Sequence, residues 1–267
     1  MDQAISLANR LTAQARARPY IAAAIAIGAL STAPIFSWAA DSYRTYLSLG
    51  KGGIPHNLFG WIVQGLAQPF AWHDTTTVRP FGDARHSAAL GPHAHESFLG
   101  EAGPSLPARA GDRPTVPGFV APQRQTTQKG APPMTARMET LLKDLAAANP
   151  GLLKTSPSNL EGVGTPALFL ADGVELPGYS KRTKGEICHA HGESSSHMIL
   201  SLADSKEVLE RGWGERHPLS GVRGFWPLSY VMVYAPRDDD EFVIWKRLVV
   251  ACVRFAFADG PAVNVDV

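Results

Sequence analysis

A chain of 267 residues, 45% hydrophobic and 18% charged, has room for one substantial domain with appendages. Its net charge of +1, with Lys and Arg scattered along the chain, offers no basic groove, so no nucleic acid partner is expected. The two cysteines, Cys188 and Cys252, are too few for a disulfide framework or a zinc ribbon, and each sits in an apolar segment where a free thiol behaves as a small buried hydrophobe.

Residues 1–19 form a basic segment carrying Arg10, Arg16 and Arg18. The next stretch, YIAAAIAIGALSTAPIFSWAA (residues 20–40), has no charged residue and is about the length a helix needs to cross a hydrocarbon core. It is expected to be a retained single-pass anchor in the endoplasmic reticulum membrane, contacting lipid, with Trp38 and Tyr43 at the interface. A cleaved signal peptide is the competing reading, but the run is long for a signal core and begins late. Residues 41–72 read as a juxtamembrane helical segment, because Leu58, Trp61, Ile62 and Leu66 recur at helical spacing. Residues 73–133 are a Gly/Pro-rich loop that includes a solvated HAH at His93–His95.

Regular patterning resumes over residues 134–267. MTARMETLLKDLAAAN puts Met138, Leu141, Leu142 and Leu145 on one helical stripe, and ALFL (167–170) is a short strand. Residues 186–191 and 195–202 are strand candidates joined by a turn. DSKEVLERG then starts a helix with Asp204 and Glu207 as a capping box and ends it at Gly212. PLSYVMVYAP (227–236) is strand-like. The closing helix has Asp238–Asp240 at its N-terminus and Phe242, Trp245, Leu248, Val249, Cys252 and Phe255 on one face. Strands and helices mix without βαβ alternation, so the class is α+β: a small mixed or antiparallel sheet packed with helices, preceded by a transmembrane helix.

Three histidines stand out in EICHAHGESSSH. In a strand His189 and His191 share a face, with Ile187 beside them and Cys188 and Ala190 opposite. A hairpin centred near Ser194 would set His191 across from His197 and gather Met198, Leu200 and Leu202 on the apolar face. Imidazoles grouped in this way suit a divalent transition metal or proton transfer near neutral pH. Downstream, RGWGERHPLSG flanks Trp213 with two glycines and adds Arg216, able to hold an anionic oxygen, and His217, able to exchange protons. A bland reading, a helix-ending turn whose Trp packs on the core, stands beside that one.

KRTKGEICHAH (181–191) and SKEVLERGWGERHPLSG (205–221) resemble the central block of the fungal luciferase family. YRTYLSLG (43–50), RAGDRPTVPG (109–118), PQRQTTQ (122–128) and YAPRDDDE (234–241) follow in the family's order. The HAHGESSSH turn is shorter and the Gly/Pro-rich insert longer than in luminous members, which suits a non-luminous homologue as well as a luminous one. The resemblance implies an enzyme that adds O2, as co-substrate, to a 3-hydroxyhispidin-like hydroxypyrone or polyphenol with loss of CO2, with bioluminescence in the luminous members. No flavin, nicotinamide or haem is implied, and no Gly-rich fingerprint is present. By the same resemblance His189, His191, His197 and His217 are catalytic candidates, Arg182 and Arg216 anchors for an anionic pyrone, and Trp213 a stacking wall. A second reading makes the oxygenase metal-dependent through His189, His191 and His197, and a third makes the chain a non-enzymatic binder of an aromatic metabolite.

Overall fold

The computed structural model describes residues 2–100, 105–222 and 225–267. The chain divides into two units, Met1–Ser48 and Leu49–Val267. The first holds α1 (Asp2–Ala17) and α2 (Pro19–Ser48). Helix α2 covers the run expected to cross a membrane, with the side chains of residues 25–31 outside those described. Among the described residues, no helix is long and apolar enough for a span. The expected single-pass anchor, its endoplasmic reticulum location and its lipid contact are therefore not supported. Half of the run's apolar residues are alanines, and Gly28, Ser31, Thr32, Pro34 and Ser37 stand among its Ile, Leu and Phe.

In the second unit the helical spacing at Leu58 yields α3 (Leu58–Ala67), capped by Asn57, whose side chain accepts the Gly60 N–H. The Gly/Pro-rich stretch is not structureless. Among the described residues it contains α4 (Ala84–Leu90) and two short 3-10 turns, one of which, Pro92–His95, contains the HAH. There His93 bonds Glu96 and Asp259, away from any other histidine pair.

Beyond it come α5 (Pro132–Ala148), β1 (Leu153–Ser158), β2 (Gly162–Leu170), β3 (Glu186–Ala190) and β4 (Ser196–Ile199). These are followed by α6 (Leu202–Glu210), β5 (Gly214–Arg216), β6 (Tyr230–Val233) and α7 (Asp239–Ala256). Among the described residues the six strands form one sheet, ordered β1-β2-β3-β4-β6-β5, and every pairing is antiparallel. The α+β class holds, with an antiparallel rather than mixed sheet. Strands β1 and β5 are additions to the expected set, since LKTSPS and GER lack the apolar alternation that marks a strand. The N-cap of α6 is Ser201, whose hydroxyl accepts the Asp204 N–H, rather than Asp204 itself. Asp204 instead accepts from Ser97 and from the Phe98 N–H. At α7 the expected acidic start is present, with Asp238 accepting from Glu241.

One face of the sheet is apolar and packs on helices. Cys188, Ala190, Met198, Val231 and Val233 meet Met138 and Leu142 of α5, Val208 of α6, and Trp245, Leu248 and Cys252 of α7 in one core. The Trp245 indole N–H donates to Ser196 Oγ at 2.8 Å, which pins α7 beneath β4. Loops cover the opposite face. The segment around Gln123, Arg124 and Gln125, part of the stretch expected to be solvated, is buried against it. Between sheet and loop the buried side chains are polar, and the histidines stand among them.

Candidate active centre

The β3–β4 hairpin pairs Cys188 with Met198, His189 with His197 and Ala190 with Ser196. That register is two residues away from the expected His191–His197 pairing. Because side chains alternate with a period of two, a shift of two keeps every residue on its face. His189, His191 and His197 therefore still share one face. The tip turns at Ser194, which adopts φ 73°. A register irregularity on β2, between Leu168 and Phe169, pairs Phe169 with Glu186 and breaks the alternation in β3. Glu186 thereby joins the histidine face, and Ile187, expected beside the imidazoles, enters the apolar core.

All three imidazoles are buried and meet at a point. His189 Nε2 lies 3.1 Å from His191 Nε2, and His197 Nδ1 lies 3.2 and 3.1 Å from those two nitrogens. Glu161, in the turn between β1 and β2, completes the group: its Oε1 is 3.6 Å from His191 Nε2 and 3.9 Å from His189 Nε2. The four residues offer ligand atoms that all lie within 4.8 Å of one another.

Each ring's remaining nitrogen is hydrogen-bonded, and the partners define the tautomers. The Glu186 carboxylate takes the His189 Nδ1–H at 2.7 Å, while also accepting from the Ser158 hydroxyl and the Asn159 N–H. The Ser195 hydroxyl donates to Glu193, so its oxygen accepts the His191 Nδ1–H at 2.7 Å. Gln123 donates through Nε2 to Glu215 and to the Arg216 carbonyl, so its Oε1 accepts the His197 Nε2–H at 2.9 Å. With those protons assigned, the nitrogens that face one another carry lone pairs.

Arg124 supplies the local positive charge, pairing with Glu161 and Glu193 and donating to the Lys51 carbonyl. Gly52 is required there, because a Cβ would run into the Glu161 and Arg124 side chains. Burial pushes the Glu161 carboxyl up, but His191, Arg124 and His189 outweigh it and hold it at about 2. Glu193 behaves alike, also held at about 2 against burial, chiefly by His191 and Arg124. Burial and Arg124 pull the His191 imidazole down, while Glu193 and Glu161 pull it up and prevail. Burial, reinforced by His191 and His189, drives His197 well below the ordinary imidazole range.

The other candidates fall in different places. His217 is adjacent, its ring 5.6 Å from that of His197, but its Nδ1 accepts the Leu219 N–H rather than facing the cluster. Burial lowers it to about 3. Arg216 is fully buried, donating to the Asp74 and Thr77 carbonyls and lying over the Trp72 ring at 4.7 Å. Trp213 packs in the core, its indole N–H bonded to the Pro107 carbonyl at 2.7 Å and its ring under Arg109. Arg182 lines a cavity of about 900 Å³ walled by Trp72, Tyr179, Phe225 and Trp226, with Arg79 beside it. Two ring contacts link this cavity to the cluster: Trp226 lies 5.6 Å from Tyr230, which stacks on His197 at 5.0 Å. Glu161, Glu186, Gln123 and Arg124 escape a reading of the sequence. Of these, Gln123 and Arg124 belong to the PQRQTTQ motif, a polar run without charge balance in a segment otherwise read as loop.

The antiparallel sheet of this α+β fold thus carries on one face a centre of three buried histidines and Glu161. The Luciferase domain family model matches residues 184–252, which span β3 to most of α7. Over 265 residues, 92% of each chain, the protein is 29% identical to a luciferase of Armillaria ostoyae. It is 28% identical to that of Armillaria gallica over 92% of this chain and 91% of the relative, and 27% identical to that of Neonothopanus nambi over 89% and 88%. No solved structure matches. The chain is thus similar to fungal luciferases over about nine tenths of its length and carries a Luciferase domain match over its histidine-bearing block.

Proposed function

We propose that the chain is a luciferase-like oxygenase that joins O2 to a small, electron-rich hydroxypyrone or related polyphenol of the 3-hydroxyhispidin kind, with loss of CO2. The observation that carries this reading is the convergence of three buried imidazoles, His189, His191 and His197, with Glu161. Such a substrate brings its own reducing electrons, so the protein's work is to form the enolate, bring oxygen to it and keep water from the peroxide. The imidazole cluster is the group able to take up or polarise the enol, and burial strengthens every electrostatic interaction made there. The cavity bearing Arg182 and Arg79 between aromatic walls suits a flat anion, with the guanidinium on the anionic oxygen and the rings on the planar faces. His217 and Tyr230 form the inner wall between that cavity and the cluster. Orientation of the free imidazole lone pairs favours the metal-dependent form of the reaction over the metal-free one.

The test is the full chain incubated with a panel of hydroxypyrones, 3-hydroxyhispidin included, while O2 uptake, product mass and photon output are recorded. The expected result is substrate-dependent O2 uptake with release of CO2, whether or not light accompanies it. Saturable binding without product across the panel would replace the oxygenase by a binding protein.

A further inference from the structure

We infer that Glu161, His189, His191 and His197 are the protein ligands of one divalent first-row transition-metal ion. Two independent observations carry this.

The first is the direction of the lone pairs. Hydrogen bonds to Glu186, Ser195 and Gln123 occupy the outer nitrogen of each ring, so three acceptors are left 3.1 to 3.2 Å apart with no donor among them. Three neutral acceptors at that range repel unless a cation sits between them. A proton on His191 Nε2 would relieve one or two of the contacts and leave His189 and His197 facing each other. An ion about 2.1 Å from each nitrogen would satisfy all three at once and see each pair under about 95°, the facial arrangement of an octahedron. The outer bonds are also what metal-bound imidazoles need, since a fixed outer N–H orients the ring and raises the basicity of the ligating nitrogen. Glu161 Oε1 stands at the edge of the same space, its other oxygen tied to Arg124, which leaves one oxygen free to ligate.

The second observation is charge. Among the described residues, Glu161, Glu186 and Glu193 lie within 4 Å of these imidazoles, and Arg124 is the cation paired with two of them. With the imidazoles neutral, three largely buried carboxylates against one guanidinium leave a double negative charge in a region of low dielectric, of which a proton on His191 would offset one unit, and which is costly without a counter-charge. One divalent ion cancels it.

Imidazole nitrogen with one carboxylate suits iron, manganese, cobalt, nickel, copper or zinc, and the donor set has no thiolate to select a soft monovalent ion. Cys188 points into the apolar core on the other face of the strand. A redox-active ion held by these residues would supply a means of activating O2 toward an enolate. Its part in turnover rests on the oxygenase reading, but its binding rests on the ligand geometry alone.

The experiment uses the full chain stripped with a chelator and titrated with Co(II), followed by calorimetry and visible absorption, with Fe(II) titrated anaerobically in parallel. Saturation at one ion per chain is expected, with d–d bands for cobalt and a raised Tm. His189→Ala and Glu161→Gln should each weaken binding at least tenfold. Gln123→Ala, which frees His197 to turn its lone pair away, should weaken it about 10- to 100-fold. Wild-type protein that shows no stoichiometric binding and no Tm change with cobalt or iron overturns the inference without recourse to any variant. Unchanged affinity in folded His189→Ala does the same. Metal binding without turnover of any hydroxypyrone would leave the inference standing and remove the oxygenase reading, and full turnover by protein that binds neither cobalt nor iron would do the reverse.

Discussion

Replacing His197 by alanine is expected to lower the rate of substrate-dependent O2 uptake by about 100-fold or more, the range over which a positioned acid, base or ligand acts. His197 is the one imidazole of the three that comes from β4, and its Nδ1 closes the triangle with both nitrogens contributed from the β3 side. Its loss removes the third donor, strands the Gln123 carbonyl and takes away the ring on which Tyr230 stacks. Stability should fall by only about 1 to 3 kcal/mol, the cost of a buried acceptor left without its donor, so the variant folds and its rate can be measured. Near-UV circular dichroism checks the fold and an oxygen electrode reads the rate. A folded His197→Ala protein with near wild-type turnover would show that the cluster is not the reacting centre.

The largest stability effect is expected at Arg124. Its guanidinium is buried and paired with Glu161 and Glu193, whose side chains are mostly buried, and it also holds the Lys51 carbonyl. Arg124→Met removes the cation and leaves two carboxylates in a poor dielectric, a loss of about 3 to 5 kcal/mol. Urea denaturation should show a lower midpoint with an unchanged slope. Adding Glu193→Gln to Arg124→Met should recover part of the loss, because it removes one of the stranded charges and the two sites are in contact. A midpoint unaltered by Arg124→Met would mean that water or a proton already compensates both acids.

Much of this arrangement is legible in the residue pattern, because strand alternation is local. Cys188, Ala190 and Met198 had to face one way if His189, His191 and His197 faced the other, and a pairing error of two residues leaves that conclusion intact. The amphipathic stripes of α5 and α7 were legible for the same reason. What the pattern hides is whatever depends on tertiary approach. Glu161 lies in NLEGVG, which reads as a solvated turn, and only the folding of β1 against β2 carries its carboxylate to the histidines. Gln123 and Arg124 come from a Gly/Pro-rich stretch whose composition suggests solvent, yet their polar groups are bonded to the site, which makes their burial tolerable. Glu186 reaches the imidazole face through a bulge, and strand alternation alone assigns that place to Ile187. Trp213 and Arg216 show the opposite limit. A motif with the right chemistry can be consumed by the core, Trp213 by the Pro107 carbonyl and Arg216 by the Asp74 and Thr77 carbonyls. At the N-terminus the charge-free run is helical, but among the described residues no helix is long and apolar enough for a span.

X-ray absorption at the zinc or cobalt edge of the metal-loaded full chain tests the central claim most directly. The account predicts a first shell with three imidazole nitrogens and at least one oxygen at about 2.0–2.2 Å, with the outer-shell scattering of imidazole rings. A shell with one imidazole or none would place the ion elsewhere and contradict it.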